Sequence, residues 1–364
     1  LEFLPSDDAL AERTAKGQGL TRPELAILTA YGKMVMKEWL VLPEIYENSY
    51  FKRHLFTAFP KMLQQSYAKE METHPLKAEI IATKLANLFV NDMGSYFAQR
   101  MMEETGSSIA EVAVCYTIAR DLFDVEAVWN KLEELDNVIP AALQIKLFHQ
   151  LRRTMRRTTR WFLRHRNKAL DIQQTIDFFK PAFVEISNNL QKLLAPAKAE
   201  QLAANEQAFI EQAVPADVAR YLAQLSTCFS VMDIAQVADS EKTDLLLVAE
   251  IYFKLGDKLD LHWFLEQITH QPVTNHWQAL ARASYREELD WQQRALSQVV
   301  VRTCSGQCQA EDVISRWLTS NELVLARWSL MLAEFKTTKS HEFAKFSVAL
   351  RELMLLSHHC DPVK

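Results

Sequence analysis

Three groups of residues have side chains or spacing that chemistry could use. Cys304, Cys308, His358, His359 and Cys360 carry sulfur and imidazole enough for a zinc ion. The first pair is separated by three residues around Gly306, a helical interval, whereas a zinc knuckle uses two. The second set sits beside the last residues of the chain, where ends fray, so no metal site is assigned. Gly17 and Gly19 could open a phosphate-binding turn. A dinucleotide fingerprint needs a strand before the pair and a third glycine three residues after the second, and that position is Arg22. The ten residues Asp7 to Lys16 are charged and alanine-containing, unlike a buried strand. The two glycines are read as the lead into a capped helix, and no cofactor is assigned to this chain.

The third group is basic. Between Asn137 and Leu170 lie Lys146, Arg152, Arg153, Arg156, Arg157, Arg160, Arg164, Arg166 and Lys168, with no Asp or Glu. On a helix, Leu147, Leu151, Met155, Thr158 and Phe162 line one face. Arg152, Arg153, Arg156, Arg157, Arg160 and Arg164 spread over the other in an arc of about 140°, at ~100° per residue. Such a face could hold phosphates. The preceding stretch, Glu103 to Asp136, has nine acids and two bases. Complementary neighbours of this kind favour pairing within the fold, or with an acidic surface elsewhere in a parent protein, over binding a small anion. Nucleic acid is disfavoured, because only Trp161 and Phe162 interleave with the arginines for stacking.

No His-Glu-x-x-His helix, Gly-x-Ser-x-Gly elbow or Walker loop occurs, and no catalytic residue is assigned. The remaining histidines, among them His262, His270 and His276, are read as partly buried or surface side chains.

Helices must carry all of this. Glycine is scarce, at seven of 364 residues, and strand-rich folds spend glycine on turns and bulges. Thr21-Arg-Pro-Glu24 and Ser108-Ile-Ala-Glu111 are capping-box sequences, and Pro23 falls in the first turn, where no hydrogen bond is lost. Ile81, Leu85, Leu88 and Phe89 mark one buried helical face. Further helices are expected over 216–227, 243–254, 258–269, 275–302, 310–319, 321–335 and 341–357. No period-two run reads as a strand. Eight tryptophans and nineteen phenylalanines are expected to fill the space between helices. The fold expected is all-α, an irregular multi-helix bundle in two helical subdomains. Residues 1–195 form the first, the small-residue stretch 196–205 is the linker, and 206–364 form the second.

Net charge is −5 and the pI about 6.1, with no general pull toward nucleic acid or anionic membranes. The run Leu245 to Ala249 ends at Glu250, far short of the ~20 apolar residues that a membrane span needs. Five cysteines, an odd and scattered set, suit no disulfide framework, and a reducing, cytoplasmic setting is expected. The first residues, Leu1-Glu-Phe-Leu-Pro-Ser-Asp-Asp8, lack an initiator Met and a signal-peptide core, and read as a start inside a longer chain.

Several blocks resemble one family. They are Gly17-Gln-Gly-Leu-Thr-Arg-Pro-Glu-Leu-Ala-Ile-Leu-Thr-Ala-Tyr31, His74-Pro-Leu-Lys-Ala-Glu-Ile-Ile-Ala-Thr-Lys-Leu-Ala-Asn87 and Val90-Asn-Asp-Met-Gly94. Glu104-Thr-Gly-Ser-Ser108, Leu135-Asp-Asn-Val-Ile-Pro-Ala141 and Thr159-Arg-Trp-Phe-Leu-Arg164 follow in order. Together they are similar to the C-terminal helical region of the large bacterial NAD-specific glutamate dehydrogenases, specifically over about 1–170 and more loosely beyond. The resemblance implies a parent that oxidises L-glutamate with NAD to 2-oxoglutarate, ammonium and NADH. It implies that the catalytic lysines and the NAD-binding glycines lie in an upstream catalytic domain, the expected partner of this region. A homo-oligomeric parent is expected, with no membrane partner. A noncatalytic module for assembly or regulation is the leading reading. An anion-binding or nucleic-acid-binding module on the Arg152–Arg164 face is the alternative, and a side chain near Gly17–Thr21 completing the parent's active site is a third.

Overall fold

The computed structural model describes residues 4–165, 170–304, 308–337 and 342–359. Among them are twenty-one α-helices, one π-helical turn and no strand. The chain divides into two compact units, Leu1–Phe178 and Phe179–Lys364.

The first unit opens with α1 (Asp7–Ala15) and α2 (Arg22–Leu40). Four short helices follow, α3 (Pro43–Tyr46), α4 (Lys52–Phe56), α5 (Lys61–Ser66) and α6 (Ala68–Glu72). Next come α7 (Lys77–Leu88), the π-turn Phe89–Met93, α8 (Phe97–Thr105), α9 (Ile109–Leu122) and α10 (Val125–Glu134). The long basic helix is α11 (Ala141–His165).

Helix α9 is the axis of this unit, buried at ten of its fourteen positions. Its start is fixed by a reciprocal cap. The Glu111 amide donates to the Ser108 hydroxyl at 3.3 Å, and the Ser108 amide donates to the Glu111 carboxylate at 2.7 Å. Against α9 packs α11, whose Leu147, Leu151, Met155 and Phe162 are buried as the helical period requires. Helix α2 packs along α7. A Cβ added at Gly32 of α2 would lie 2.8 Å from the Ser95 Cβ, so glycine permits that approach. The opening glycines behave as ordinary punctuation. Gly17, at φ 67°, ends α1, and α2 starts after Thr21, whose amide donates to Glu24 at 2.7 Å.

Helix α12 (Ile172–Leu193) contains the division between the units. The second unit continues with α13 (Pro196–Ile210), α14 (Ala216–Cys228), α15 (Val231–Ser240), α16 (Leu245–Lys258) and α17 (Leu261–His270). It ends with α18 (His276–Arg302), α19 (Ala310–Ser320), α20 (Glu322–Thr337) and α21 (Phe343–His359). Helices α16, α17 and α21 pack on α18. Phe264, Trp328, Phe335 and Phe346 form an aromatic centre, with Phe264 ring centroids 5.3–5.6 Å from the other three. The buried indole of Trp328 donates to the Leu259 carbonyl at 3.0 Å.

Three expectations change. Residues 196–205, expected as a linker, form the first part of α13, because Pro196 at a first turn starts a helix rather than breaking one. Cys304 and Cys308 are joined in a disulfide, where the scattered cysteines were expected to form none. Aromatic residues do not all fill the core. Trp328 is buried, whereas Trp39, Trp277 and Trp291 are exposed.

Candidate functional site

The densest polar cluster of the first unit begins where α7 widens into the π-turn Phe89–Met93, closed by Gly94 at φ 91°. Such turns are rare and recur at functional positions, because they leave carbonyls and side chains out of the regular ladder. This one presents Asn91 and Asp92. The Asp92 carboxylate accepts from the Tyr116 hydroxyl at 2.7 Å and forms an ion pair with Arg120 Nε at 3.6 Å. Arg120 also pairs with Glu126 at 2.9 Å and Asp121 at 3.7 Å. Asp121 in turn accepts from the Tyr50 hydroxyl and pairs with Arg53, both at 2.6 Å. One connected network thus ties the loop before α4, α4, the π-turn, α9 and α10.

Burial governs its electrostatics. It pushes the Asp92 carboxyl above the usual carboxylate range, against the opposing pull of Tyr116 and Arg120. It also raises the Tyr116 hydroxyl well above its ordinary value, with Asp92 adding to the effect. Tyr50 is pushed up to about 12 by burial and by Asp121. His54, next to Arg53, is lowered to about 4 by burial and by the charges of Arg53 and Arg120. Its Nε2 is buried without a hydrogen-bond partner. The shifts of the two phenols and the imidazole lead away from proton exchange near neutrality, and only the Asp92 carboxyl moves toward it. The phenols stay protonated and the imidazole stays neutral, so the cluster is suited to holding helices together rather than to general acid–base work.

The basic helix meets this cluster at one end. Arg152 donates from Nε to the Asp92 carbonyl at 2.6 Å and from Nη2 to the Asn91 carbonyl at 3.2 Å. Its guanidinium lies 5.4 Å from the centre of the Trp129 ring. A half-open cleft of about 600 Å³ is lined here by Asn91, Asp92, Arg120, Glu126, Trp129 and Arg152. Further along, Arg160 pairs with Glu104, which Arg100 also holds at 2.6 Å. Arg164 donates to the Glu104 carbonyl at 2.7 Å. Arg156 is half-buried, and burial together with the nearby charges of Arg100 and Arg160 lowers its pKa. Arg157 is half-buried and Arg153 exposed. Arg152, Arg160 and Arg164 therefore turn back onto their own unit. They do so through backbone carbonyls and Glu104. Arg166 and Lys168 lie outside the described residues.

The sequence reading missed Asp92, Tyr116, Arg120, Asp121, Tyr50, Arg53 and His54 as a unit. One signal was available, since the Val90-Asn-Asp-Met-Gly94 block carries the π-turn. Among the described residues, no group of three or more His, Cys, Asp or Glu is placed to hold a metal ion. No helix among them is long and apolar enough to cross a membrane. The Gly17–Gly19 pair does not fit NAD, because the helix α1 precedes it where a dinucleotide site needs a strand.

Helix on helix, with polar side chains tied to one another inside the first unit, defines an all-α protein. Its family follows from comparison with known sequences. The family model described as "Glutamate dehydrogenase, C-terminal" matches residues 17–355, and the chain belongs to that family. It is 41% identical over 357 residues to an NAD-specific glutamate dehydrogenase of Pseudomonas aeruginosa, covering 98% of this chain. It is 37% identical over 357 residues to the NAD-specific glutamate dehydrogenase of Halomonas elongata, and 29% identical over 361 residues to that of Mycobacterium tuberculosis. The chain spans 22% of the length of each of these relatives.

Proposed function

We infer that this chain is the C-terminal helical region of an NAD-dependent glutamate dehydrogenase, and that its role there is noncatalytic. The whole enzyme takes L-glutamate, NAD and water to 2-oxoglutarate, ammonium, NADH and a proton. The observation that carries this reading is the match itself, 41% identity through 98% of this chain against 22% of the relative. A region that aligns from end to end with one part of a longer enzyme inherits a part's role. The internal ties of Arg152, Arg160 and Arg164 support the same reading, since they spend cations on rigidity.

The module packs on the catalytic part of the same polypeptide, supporting its assembly or regulating its domain closure. NAD binds in that catalytic part. The enzyme is cytoplasmic and a homo-oligomer. The test compares the full-length enzyme with this region by itself, following NADH formation from glutamate. Turnover is expected from the full-length protein only. Turnover by the isolated region, or none by the full-length enzyme, overturns the reading.

A further inference from the structure

Helix α2 carries an apolar face with nothing on it. Of its nineteen residues only Met36 and Leu40 are buried, both in its last turns. Leu25, Tyr31, Met34, Val35 and Trp39 are all exposed, Met34 at 57% of its full area. Tyr31, Met34, Val35 and Trp39, with half-exposed Ile27 and Leu28, fall within an arc of about 140°, at ~100° per residue. Met36 and Leu40 point roughly the opposite way, toward the body of the unit. Single exposed apolar side chains are ordinary, but a stripe of this length, interrupted on the same arc only by the carboxylates of Glu24 and Glu38 near its two ends, marks a contact surface. Aromatic residues and Met are the types enriched at such surfaces.

Helix α1 points to the occupant. It buries no residue of its own and is held to α2 by Arg13, whose guanidinium donates to both carboxylate oxygens of Glu24 at 2.9 and 3.0 Å. Any chain that precedes α1 therefore enters no more than the length of this nine-residue helix, ~14 Å at ~1.5 Å per residue, from the start of α2. On the reading of this region as the C-terminal part of a glutamate dehydrogenase, most of the remaining length of the enzyme precedes it. A covalent tether of this kind gives the preceding part a high effective concentration at the α2 face. A second copy of the chain has to lose its translational and rotational freedom to compete for the same face.

We propose that the Tyr31–Met34–Val35–Trp39 face of α2 is the docking surface for the preceding, catalytic part of the same polypeptide. The inference rests on the proposed function and names its contact. Leu25 belongs to the rim, one residue after the Arg13–Glu24 clasp.

The test uses the full-length enzyme, with a benzoylphenylalanine photocrosslinker in place of Tyr31 and, in a second protein, in place of the highly exposed Leu323 as reference. After irradiation, the expected product from position 31 runs at the mass of one chain and joins its peptide to one from before residue 1. A product of doubled mass, whichever peptide it carries, overturns the proposal in favour of contact between copies. Absence of a crosslink is resolved with Met34→Cys and Leu323→Cys in the same enzyme. Thiol labelling at position 34 at least tenfold slower than at 323 supports a covered face, and equal rates overturn it. NADH formation is measured in parallel. Normal turnover with an open α2 face sinks only the docking inference, whereas absent turnover in the unmodified enzyme sinks the proposed function.

Discussion

Arg152 donates its Nε proton to the carbonyl of Asp92, 60 positions earlier, at 2.6 Å. The π-turn leaves that carbonyl and its neighbour at Asn91 for the guanidinium, and Trp129 stacks on the other side. Two charge-assisted hydrogen bonds to backbone hold the end of α7 against the middle of α11.

Arg152→Ala is therefore expected to weaken the first unit by about 2–3 kcal/mol, because hydrogen bonds to charged groups contribute ~1.5–3 kcal/mol and the stacking is lost too. Native-state hydrogen exchange of the α9 amides reads this locally. Arg152→Lys recovers little, since an ammonium cannot span two carbonyls as a planar fork does. Arg153→Ala, at an exposed position on the same helix, is expected to change the same amides by no more than about 0.5 kcal/mol. Equal effects at 152 and 153 would remove the special role given to the π-turn contact.

Tyr116→Phe probes the other side of the turn. The variant keeps the ring and deletes the hydroxyl that donates to Asp92 at 2.7 Å, leaving Arg120 at 3.6 Å as that carboxylate's remaining side-chain partner in the cluster. The expected cost is about 1.5–3 kcal/mol, in line with a hydrogen bond to a buried charged group. Tyr50→Phe is the comparison. Asp121 there retains Arg53 at 2.6 Å, so the expected loss is only about 1 kcal/mol. Urea unfolding followed through α9 exchange ranks the two, and a larger loss at Tyr50 contradicts the burial argument.

Glu104→Gln tests whether the basic helix depends on its one well-buried acidic partner. The substitution keeps the shape but removes the charge that Arg100 and Arg160 share. Arg156, already half-buried among Arg100 and Arg160, then faces a more positive neighbourhood. A loss of about 1–3 kcal/mol is expected, because it leaves the largely buried Arg160 without its charged partner, while Arg100 is exposed to solvent. Raising the salt concentration should reduce the loss by screening the repulsion. A Glu104→Gln protein as stable as the parent at low salt contradicts this.

Local grammar made much of the fold legible. Ser108 and Glu111 sit three residues apart, and a cap needs nothing else, so the start of α9 was visible. The expected helix over 275–302 is α18 within one residue, because Asn275 caps its start and Thr303 its end. Helix α15 escaped, since only Phe229 and Ser230 separate it from α14, with neither Gly nor Pro to mark the break. The linker reading of 196–205 failed for a related reason: small residues and a leading proline suit a helix start as well as a loop. The polar cluster was illegible because its members meet only in three dimensions, with Tyr50 71 positions from Asp121 and Asp92 24 from Tyr116. Charge counting found the arginines, but the acceptors of Arg152 are carbonyls, which carry no mark in the sequence.

Burial of His54 makes the first unit sensitive to acid. In the unfolded chain its imidazole titrates near the ordinary value of about 6.5, whereas burial in the fold lowers it to about 4. Above pH 6.5 both states are neutral at this site, and the contribution to stability is constant. As pH falls from about 6.5 to about 4, the unfolded chain takes up a proton that the folded one refuses, so stability declines across that window and levels off below it. The gap of roughly 2.5 pKa units corresponds to about 3 kcal/mol at ~1.4 kcal/mol per unit. His54→Phe keeps a ring of similar breadth in the pocket beside Phe51 and removes the titrating group. The stability of the variant, read from α9 exchange between pH 7 and pH 4, is expected to fall less steeply than the parent's by close to one proton. Identical slopes would mean that the imidazole is reached by water and charges in place.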